Sequence, residues 1–353
     1  MGEVERYEVV EAEIVEAGSS SLQLSEAARA AVEGTRPDST LRAYRADREE
    51  YMRWCQAEGH TPLPATPELL TVYVKHMTTA PRPRTGRPAA PSSIDRAIAA
   101  VSTMHEEVGM AKPVQEGARR VLKAYKAELA VKKDQAAKTK KASAAVPDIL
   151  RKLLATLDRD TLKGKRDAAL MLLGFATAAR VSELVAMNIE ELLRTEDGID
   201  ISVYRKKTHN HTDNMVLYGS RPATCPVRAV NAYLAALEQE GRTEGPLFVR
   251  VSRHGHVAPP MLRHGRAIGD PAGRMTEEAA AEVVEKAAAS AGLEGQWTGH
   301  SLRRGFATAA RRAGADMLRI GRTGGWADGS RALLGYMEDA DRVTESPLVG
   351  IGL

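Results

Sequence analysis

Apolar residues recur at helical spacing along most of the chain. From Thr35, the stretch TRPDSTLRAYRADREEYMRWCQAEG places aromatic and aliphatic side chains three or four residues apart, behind a Ser39/Thr40 cap. The same spacing predicts further helices at residues 66–77, 93–108 and 114–129. A basic, proline-rich loop separates the second helix from the third. We therefore expect a small all-helical domain over residues 35–130.

A second pattern begins at Pro147, with a helix to Leu157. RDAALMLLGFATAARVSELVAM (166–187) is so apolar that we expect one helix at the centre of a core. Residues 197–220 alternate between apolar and polar, which predicts two short strands joined by a turn around 209–213. The remaining helices are predicted at residues 226–240, 276–291, 301–313 and about 330–338. The predicted fold is mainly α with a small antiparallel β-sheet: an all-helical domain, then an α+β domain at 147–340.

The flanking segments differ in composition from both domains. Residues 1–34 alternate acidic and apolar residues and then run through GSSS, as expected of a flexible arm or a weak strand. Residues 131–146 are rich in lysine and alanine, which predicts a linker, either simply solvated or lying along a phosphate backbone. Residues 341–353 form a tail with apolar side chains near its end.

Composition narrows the class of protein. The chain is 43% hydrophobic and 27% charged, a balance typical of globular proteins. No apolar run approaches the ~20 residues of a membrane span, and the N-terminus is acidic where a signal peptide would be basic. We expect a cytoplasmic protein without membrane association. Cys55 and Cys225 stand alone, so neither a disulfide framework nor a CxxC metal site is predicted.

The net charge of +4 conceals an uneven distribution. Without the eight glutamates and two arginines of residues 1–34, the chain has 48 basic and 38 acidic residues. A body with about ten excess positive charges favours a polyanionic partner, with nucleic acid the leading candidate. Ordinary solubility is the alternative explanation.

The stretch TGHSLRRG (298–305) places His300 and Arg303 on the first turn of a predicted helix. Free backbone amides at a helix start also attract anions, so this arrangement suits a phosphate. Downstream, Trp326 follows two glycines and Tyr336 lies on a late helix. Each motif alone is short enough to arise by chance, and the tyrosine alone could be core filler.

Two further groups carry charge in unusual places. Arg180 lies within the apolar GFATAAR, where an unpaired guanidinium would be costly, and Glu183 one turn later could orient it. A purely structural ion pair is the alternative. YRKKT places Arg205, Lys206 and Lys207 at a strand end, where charged tips are usually just solvated.

Histidine clusters raise the question of a metal. THNHTD offers His209, His211 and Asp213 at alternating positions, but a polar hairpin turn is the favoured interpretation. The loop HGHVAPPMLRHGR carries three more histidines and suits an exposed, basic, DNA-facing loop.

Taken in chain order, these motifs resemble the tyrosine recombinase (phage integrase) family, in particular its Cre-like branch. The resemblance rests on Arg180 with Glu183, a hairpin lysine, HxxR, a tryptophan after GG, and a late tyrosine. It is strong over residues 147–340, and the domain order extends it back to about residue 35. It implies a SAM-like helical core-binding domain, followed by an α+β catalytic domain.

The resemblance also implies roles. Tyr336 would be the nucleophile toward a DNA phosphodiester, with Arg180 and Arg303 holding its non-bridging oxygens. His300 and Trp326 would donate further hydrogen bonds to that phosphate. Many family members have histidine at the tryptophan position, whereas the Cre-like branch has tryptophan.

Two roles remain. Lys207 would be the general acid that protonates the departing 5′ oxygen, preferred over Lys206 because it precedes a threonine, and Glu183 would support the site geometry. Residue types alone make this chemistry reasonable, since arginines stabilise a phosphoryl transition state without a metal. We therefore expect no cofactor.

The implied partner is double-stranded DNA, bound by four copies of a bacterial or phage-encoded chain on two sites, with the tail docking on a neighbouring subunit. An accessory directionality factor is a further possible partner. Candidate DNA-contacting residues are Arg42, Arg45, Arg48, Arg96, Arg205 and Lys206. The alternatives are a topoisomerase-like or resolvase-like variant of the same chemistry, and a catalytically silent DNA-binding protein.

Overall fold

The computed structural model describes residues 38–83, 85–134, 136, 141–206 and 208–341. The chain divides into two compact units, with the boundary between residues 139 and 140. The predicted acidic arm at 1–34 and residues 342–353 of the predicted tail lie outside the described residues.

The described part of the first unit is helical. Its helices are α1 (Asp38–Ala57), α2 (Pro67–Thr79), α3 (Pro91–Glu107) and α4 (Glu116–Val131), which confirms the helices predicted there. The Thr66 hydroxyl caps α2 by accepting from the Leu69 amide. Helix α1 packs on α3 and α2 packs on α4, around fully buried side chains such as Tyr51, Leu70 and Ile94.

The second unit combines helices with two small sheets. Its helices are α5 (Pro147–Ala155), α6 (Leu162–Ala176), α7 (Val181–Ala186), α8 (Pro226–Gln239), α9 (Glu277–Ser290), α10 (His300–Arg312), α11 (Met317–Gly324) and α12 (Arg331–Asp341). Its strands are β1 (Leu192–Arg194), β2 (Gly198–Arg205), β3 (Asn210–Leu217), β4 (Met261–Arg263) and β5 (Arg266–Ile268). Strands β1, β2 and β3 form one antiparallel sheet in that order, and β4 pairs with β5. The predicted fold class is therefore confirmed.

Helix α6 lies at the centre of the second core, as predicted, with Leu170, Met171 and Leu173 fully buried. The single helix predicted over residues 166–187 is wrong, however. The chain leaves helical geometry after Ala176, and Ala178 adopts a positive φ of 48°. Helix α7 then begins behind Arg180, whose backbone N–H donates to the Glu183 carboxylate at 2.9 Å. This capping interaction starts a new helix in mid-sequence.

Other local differences have local causes. Strand β2 ends at Arg205 and β3 already begins at Asn210, so the hairpin reverses direction earlier than predicted. The histidine-rich loop contains the short β4–β5 hairpin rather than being wholly irregular. Helix α11 was not predicted, because its sequence MLRIGRTG is rich in glycine and arginine. The helix begins after Asp316, whose side-chain carboxylate accepts a hydrogen bond from the Arg319 amide.

The residues before α5 lie as an extended strap against the start of α10. The Ser143 amide donates to the Gln296 carbonyl at 2.7 Å, and the Ala145 amide donates to the Ser301 carbonyl at 2.9 Å. Arg304 donates to the Ala142 carbonyl. The approach is so close that a Cβ on Gly305 would lie 2.3 Å from the Ala145 carbonyl oxygen.

Two further features concern exposure. Both cysteines are free and buried, Cys55 in the first unit and Cys225 in the second. Among the described residues, no helix has the length and apolar character needed to cross a bilayer.

We expect Gly305→Ala to lower the free energy of unfolding by about 1–3 kcal/mol, because the added methyl group overlaps a backbone atom of the strap. Gly335→Ala is the matched control. Gly335 also lies in a helix, but no atom lies within 4 Å of its added Cβ, so alanine should stabilise by about 0.5–1 kcal/mol. Urea unfolding of the full chain measures both, and equal effects would show that the strap is not tightly packed.

Candidate active site

One buried carboxylate joins two of the predicted site arginines. Glu183 is 2% exposed, and its Oε1 accepts from Arg180 Nη1 at 2.5 Å. Its Oε2 accepts from Arg205 Nη1 at 3.0 Å and from the Arg180 backbone. Burial alone would raise the pKa of Glu183, but the hydrogen bonds from Arg180 and the charges of both arginines outweigh it. The pKa of Glu183 therefore lies below its ordinary value, and the group is ionised at neutral pH.

Arg205 does not contact solvent. It is 0% exposed, so its prediction as a DNA-contacting residue is wrong. The strand end that looked like a solvated tip is covered by α11, whose Thr323 carbonyl accepts from Arg205 Nη2 at 2.7 Å. Burial lowers the pKa of Arg205, and Glu183 partly offsets that effect.

Two lysines follow Arg205 in the sequence, and the structure describes only the first of them. Lys206 is exposed and lies 3.5 Å from the Glu277 carboxylate. Lys207, the predicted general acid, lies outside the described residues.

Arg303 is the third guanidinium of the site. It is 3% exposed, and its Nη1 donates to the Ala178 carbonyl and, at 2.6 Å, to the Gly324 carbonyl. Its Nη2 is buried without a hydrogen-bond partner among the described residues. Burial, then the charge of Arg180, lowers the pKa of Arg303 to about 9, so it remains a cation at neutral pH.

Trp326 and Tyr336 stand next to this guanidinium. The Arg303 guanidinium carbon lies 3.6 Å from the Trp326 ring centroid, a cation–π contact. Trp326 in turn meets Tyr336 edge to face, with ring centroids 6.2 Å apart. Tyr336 is half-buried on α12, which packs on α10. The Arg304 guanidinium carbon lies 5.8 Å from the centroid of the Tyr336 ring.

His300 is the first residue of α10 and its side chain is exposed. The pKa of His300 nevertheless lies below its ordinary value, because the surrounding protein partly desolvates the ring and Arg303 and Arg180 repel a further positive charge. The neutral imidazole is therefore the favoured form near neutral pH.

The structure thus brings six of the seven predicted catalytic residues into one region. They are Arg180, Glu183, His300, Arg303, Trp326 and Tyr336. With Arg205, the region holds three guanidiniums and one carboxylate, so it carries excess positive charge. A buried donor without a partner beside such charge is suited to an anion.

Sequence reasoning missed the part played by Arg205 and by the backbone carbonyls that receive the arginines. No sequence signal identifies a carbonyl as an acceptor. The cap at Arg180 could have been found, because a glutamate three residues after the cap position is the usual partner in a capping box.

The remaining predicted residues lie in the first unit or on the hairpin. Arg42 and Arg45 are exposed, whereas Arg48 binds Glu107 at 2.5 Å and Arg96 binds Asp47 at 2.6 Å. On β3, Asp213 accepts from Ser202 at 2.7 Å. Among the described residues, no three histidine, cysteine or acidic side chains group as a metal site requires.

We expect Glu183→Gln to lower the free energy of unfolding by about 3–5 kcal/mol at neutral pH, because it leaves buried arginines without their counter-charge. The pKa of Glu183 is lowered in the fold, so its stabilisation is complete above the ordinary value of 4.5 and is lost as pH falls through the lower folded value. The difference between wild type and variant should therefore narrow below pH 4.5. Urea unfolding across pH, with exposed Glu196→Gln as control, measures it; a pH-independent difference would contradict the assignment.

Comparison with known proteins agrees with this geometry. The model of the phage integrase family matches residues 146–342, more than half of the chain. An integrase/recombinase xerD homolog of Selenomonas ruminantium is 30% identical over 84% of this chain and 81% of its own length. The recombinase cre of Escherichia phage P1 is 23% identical over 82% of this chain and 81% of its own length. The likeness is thus not specific to the Cre-like branch.

A solved structure shares the fold. The crystal structure of a lambda integrase dimer bound to a COC′ core site has a TM-score of 0.56 and 15% identity, covering 87% of this chain and 91% of that one. The family match covers the region that holds the arginines, the tryptophan and the tyrosine. The chain therefore belongs to the phage integrase family and is a tyrosine-type site-specific recombinase, an enzyme of DNA recombination.

Proposed function

We propose that this protein cuts and rejoins duplex DNA through a covalent bond between Tyr336 and a 3′ phosphate. The observation that carries the proposal is the Nη2 of Arg303, which has no hydrogen-bond partner in the described part of the chain and is buried next to the Trp326–Tyr336 pair. A phosphodiester oxygen placed there would satisfy this donor. Burial makes the hydrogen bond strong, because little water competes for it.

In the first step, the Tyr336 oxygen attacks phosphorus and the bond from phosphorus to the 5′ oxygen breaks. Tyr336 loses one proton, and the departing 5′ oxygen gains one, for which Lys207 is the proposed donor. Arg180 and Arg303 bind the non-bridging oxygens, where negative charge is greatest in the transition state. Neutral His300 and the Trp326 indole donate to the same group.

The second step reverses the first with a different strand. A free 5′ hydroxyl attacks the phosphotyrosine, so that the tyrosine departs and a new phosphodiester forms. The phosphotyrosine keeps the energy of the original bond, so rejoining needs no ATP. The arginine charges perform the electrostatic role that a metal performs in other phosphoryl-transfer sites.

Binding of DNA involves both units in this proposal: the first unit, which is helical, and the second unit, which is catalytic. Arg42 and Arg45 are the best phosphate contacts of the helical unit, because both are exposed on α1. Arg48 and Arg96 are weaker candidates, since each already binds a carboxylate. Two protomers per site and four on two sites complete the proposal, as the family resemblance implies.

We expect wild-type protein to form a covalent adduct with nicked duplex DNA in EDTA, and Tyr336→Phe to form none. The substrate is chosen from a pool of randomised duplexes by covalent capture with the wild type. A denaturing gel detects the adduct, and a native gel checks that Tyr336→Phe still binds. An adduct from the variant would place the nucleophile elsewhere.

Tight binding without an adduct from either protein would favour the silent DNA-binding alternative, and an adduct that never yields exchanged strands would favour the topoisomerase-like one.

We expect Arg42→Ala/Arg45→Ala to weaken DNA binding in the Tyr336→Phe background, because two phosphate contacts are lost. The plot of log affinity against log salt concentration should become shallower by about 0.9 for each contact. Arg120→Ala is the matched control, since Arg120 is also exposed in the helical unit but binds Glu116 on the same helix. An unchanged slope in the double variant would exclude these arginines from the interface.

A further inference from the structure

Arg205 lies at the meeting point of four segments of the catalytic unit. Its Nη1 donates to Glu183 on α7 at 3.0 Å, and its Nε donates to the Thr212 hydroxyl on β3 at 2.6 Å. Its Nη2 donates to the Thr177 carbonyl after α6 at 3.1 Å and to the Thr323 carbonyl on α11 at 2.7 Å. The side chain is 0% exposed. Because each contact uses a different direction of one rigid plane, the four segments are held at fixed distances from each other.

Arg205 is connected to Arg180 through Glu183. Glu183 shares its two oxygens between the Arg205 guanidinium and the Arg180 guanidinium. Removing Arg205 would leave the Glu183 carboxylate held by Arg180 alone, through its guanidinium and its backbone N–H. The guanidinium that is proposed to bind phosphate would then lose its fixed orientation.

Arg205 is also connected to Trp326, through Gly325. Gly325 has a φ of 61°, and a Cβ there would lie 2.8 Å from the Arg205 Cγ and Nε. The turn that carries Trp326 is therefore in direct contact with the stem of Arg205. Trp326 in turn stacks on Arg303 at 3.6 Å. Arg205 thus contacts Glu183, which binds Arg180, and the turn that carries Trp326, which stacks on Arg303. Arg180 and Arg303 are the two arginines proposed to bind the phosphate.

We propose that Arg205 is a positioning residue for strand cleavage, which sets the separation of Arg180 and Arg303 through Glu183 and the 323–326 turn. This assignment rests on the proposed function. Arg205 touches no DNA, since it is fully buried. Its effect is on the rate of the chemical step, through the geometry of the two groups that bind the phosphate. A displacement of about 1 Å in such a site costs on the order of 100-fold in rate.

Lys207 offers a rival route, because it lies two residues after Arg205 in the sequence. If Arg205 acted by placing the general acid, its loss would matter only when the leaving group needs a proton. A substrate with sulfur at the 5′ bridging position separates the two routes, since a thiolate leaves without protonation.

The experiment measures single-turnover adduct formation on the captured nicked duplex, with 5′ oxygen and with 5′ sulfur. We expect Arg205→Met to be slowed by about 100-fold with both leaving groups, while affinity measured in the Tyr336→Phe background stays near that of the parent. Arg205→Lys should recover part of the rate, because it restores the charge but not the planar fork. Lys207→Met should be slow with oxygen and recover with sulfur.

Arg166→Met is the matched control for loss of a buried arginine. Arg166 is 6% exposed, binds Asp167 at 2.6 Å and donates to the Val249 carbonyl, so its removal also destabilises the catalytic unit. It belongs to none of the contacts described for the site, and the rate per folded molecule should match wild type. Thermal unfolding of each variant gives the folded fraction. Should Arg205→Met fail to fold, Thr212→Val removes the Nε contact, together with the longer hydrogen bond of 3.3 Å from Asn214 Nδ2, and should slow both substrates in the same direction.

Three results would overturn the assignment: a wild-type rate for Arg205→Met, recovery of its rate with the sulfur substrate, or an equal loss in Arg166→Met at equal stability. Failure of the proposed function would be recognised separately. In that case wild-type protein itself would form no adduct, and the role of Arg205 in cleavage would fall with it.

Discussion

The candidate active site depends on how the three buried or half-buried guanidiniums of Arg180, Arg205 and Arg303 are accommodated with the single carboxylate of Glu183. Placing like charges together away from water is costly, and Glu183 can neutralise only one of them. Much of the further stabilisation comes from backbone carbonyls: Thr177 and Ala178 after α6, and Thr323 and Gly324 at the end of α11. The carbonyls at a helix C-terminus lack partners within the helix and carry partial negative charge. Two helix ends therefore act as counter-charges for Arg205 and Arg303.

This constraint explains local features that otherwise look irregular. The apolar segment that predicts one long helix is interrupted at Ala178, because a continuous helix would use the carbonyls that the arginines need. Ala178 accepts a positive φ at an energetic cost of roughly 1 kcal/mol or more. The Asp316-capped α11 serves the same purpose, since its last turn ends over Arg205 and Arg303. Helix breaks in this unit are thus part of the site.

The sequence was informative wherever a local pattern decides the structure. Helical periodicity located the helical domain and the central α6, and the pairing of Arg180 with Glu183 was expected because an arginine in an apolar segment needs a counter-charge. Long-range contacts were not accessible in this way. Arg205 was assigned to the surface because lysines follow it, and its burial depends on α11, a helix 118 residues away that periodicity does not reveal. That Arg303 Nη2 finds no partner among the residues that the structure describes likewise follows only from the packing of several segments.

The two buried cysteines have a consequence for observing the protein at work. Thiol reagents modify accessible thiolates, and neither Cys55 nor Cys225 offers an accessible sulfur. Each lies in the core of a different unit. A cysteine introduced at an exposed position on each unit would thus accept a dye or spin label without removal of the native residues. Energy transfer between two such labels would report the separation of the units before and after DNA binds.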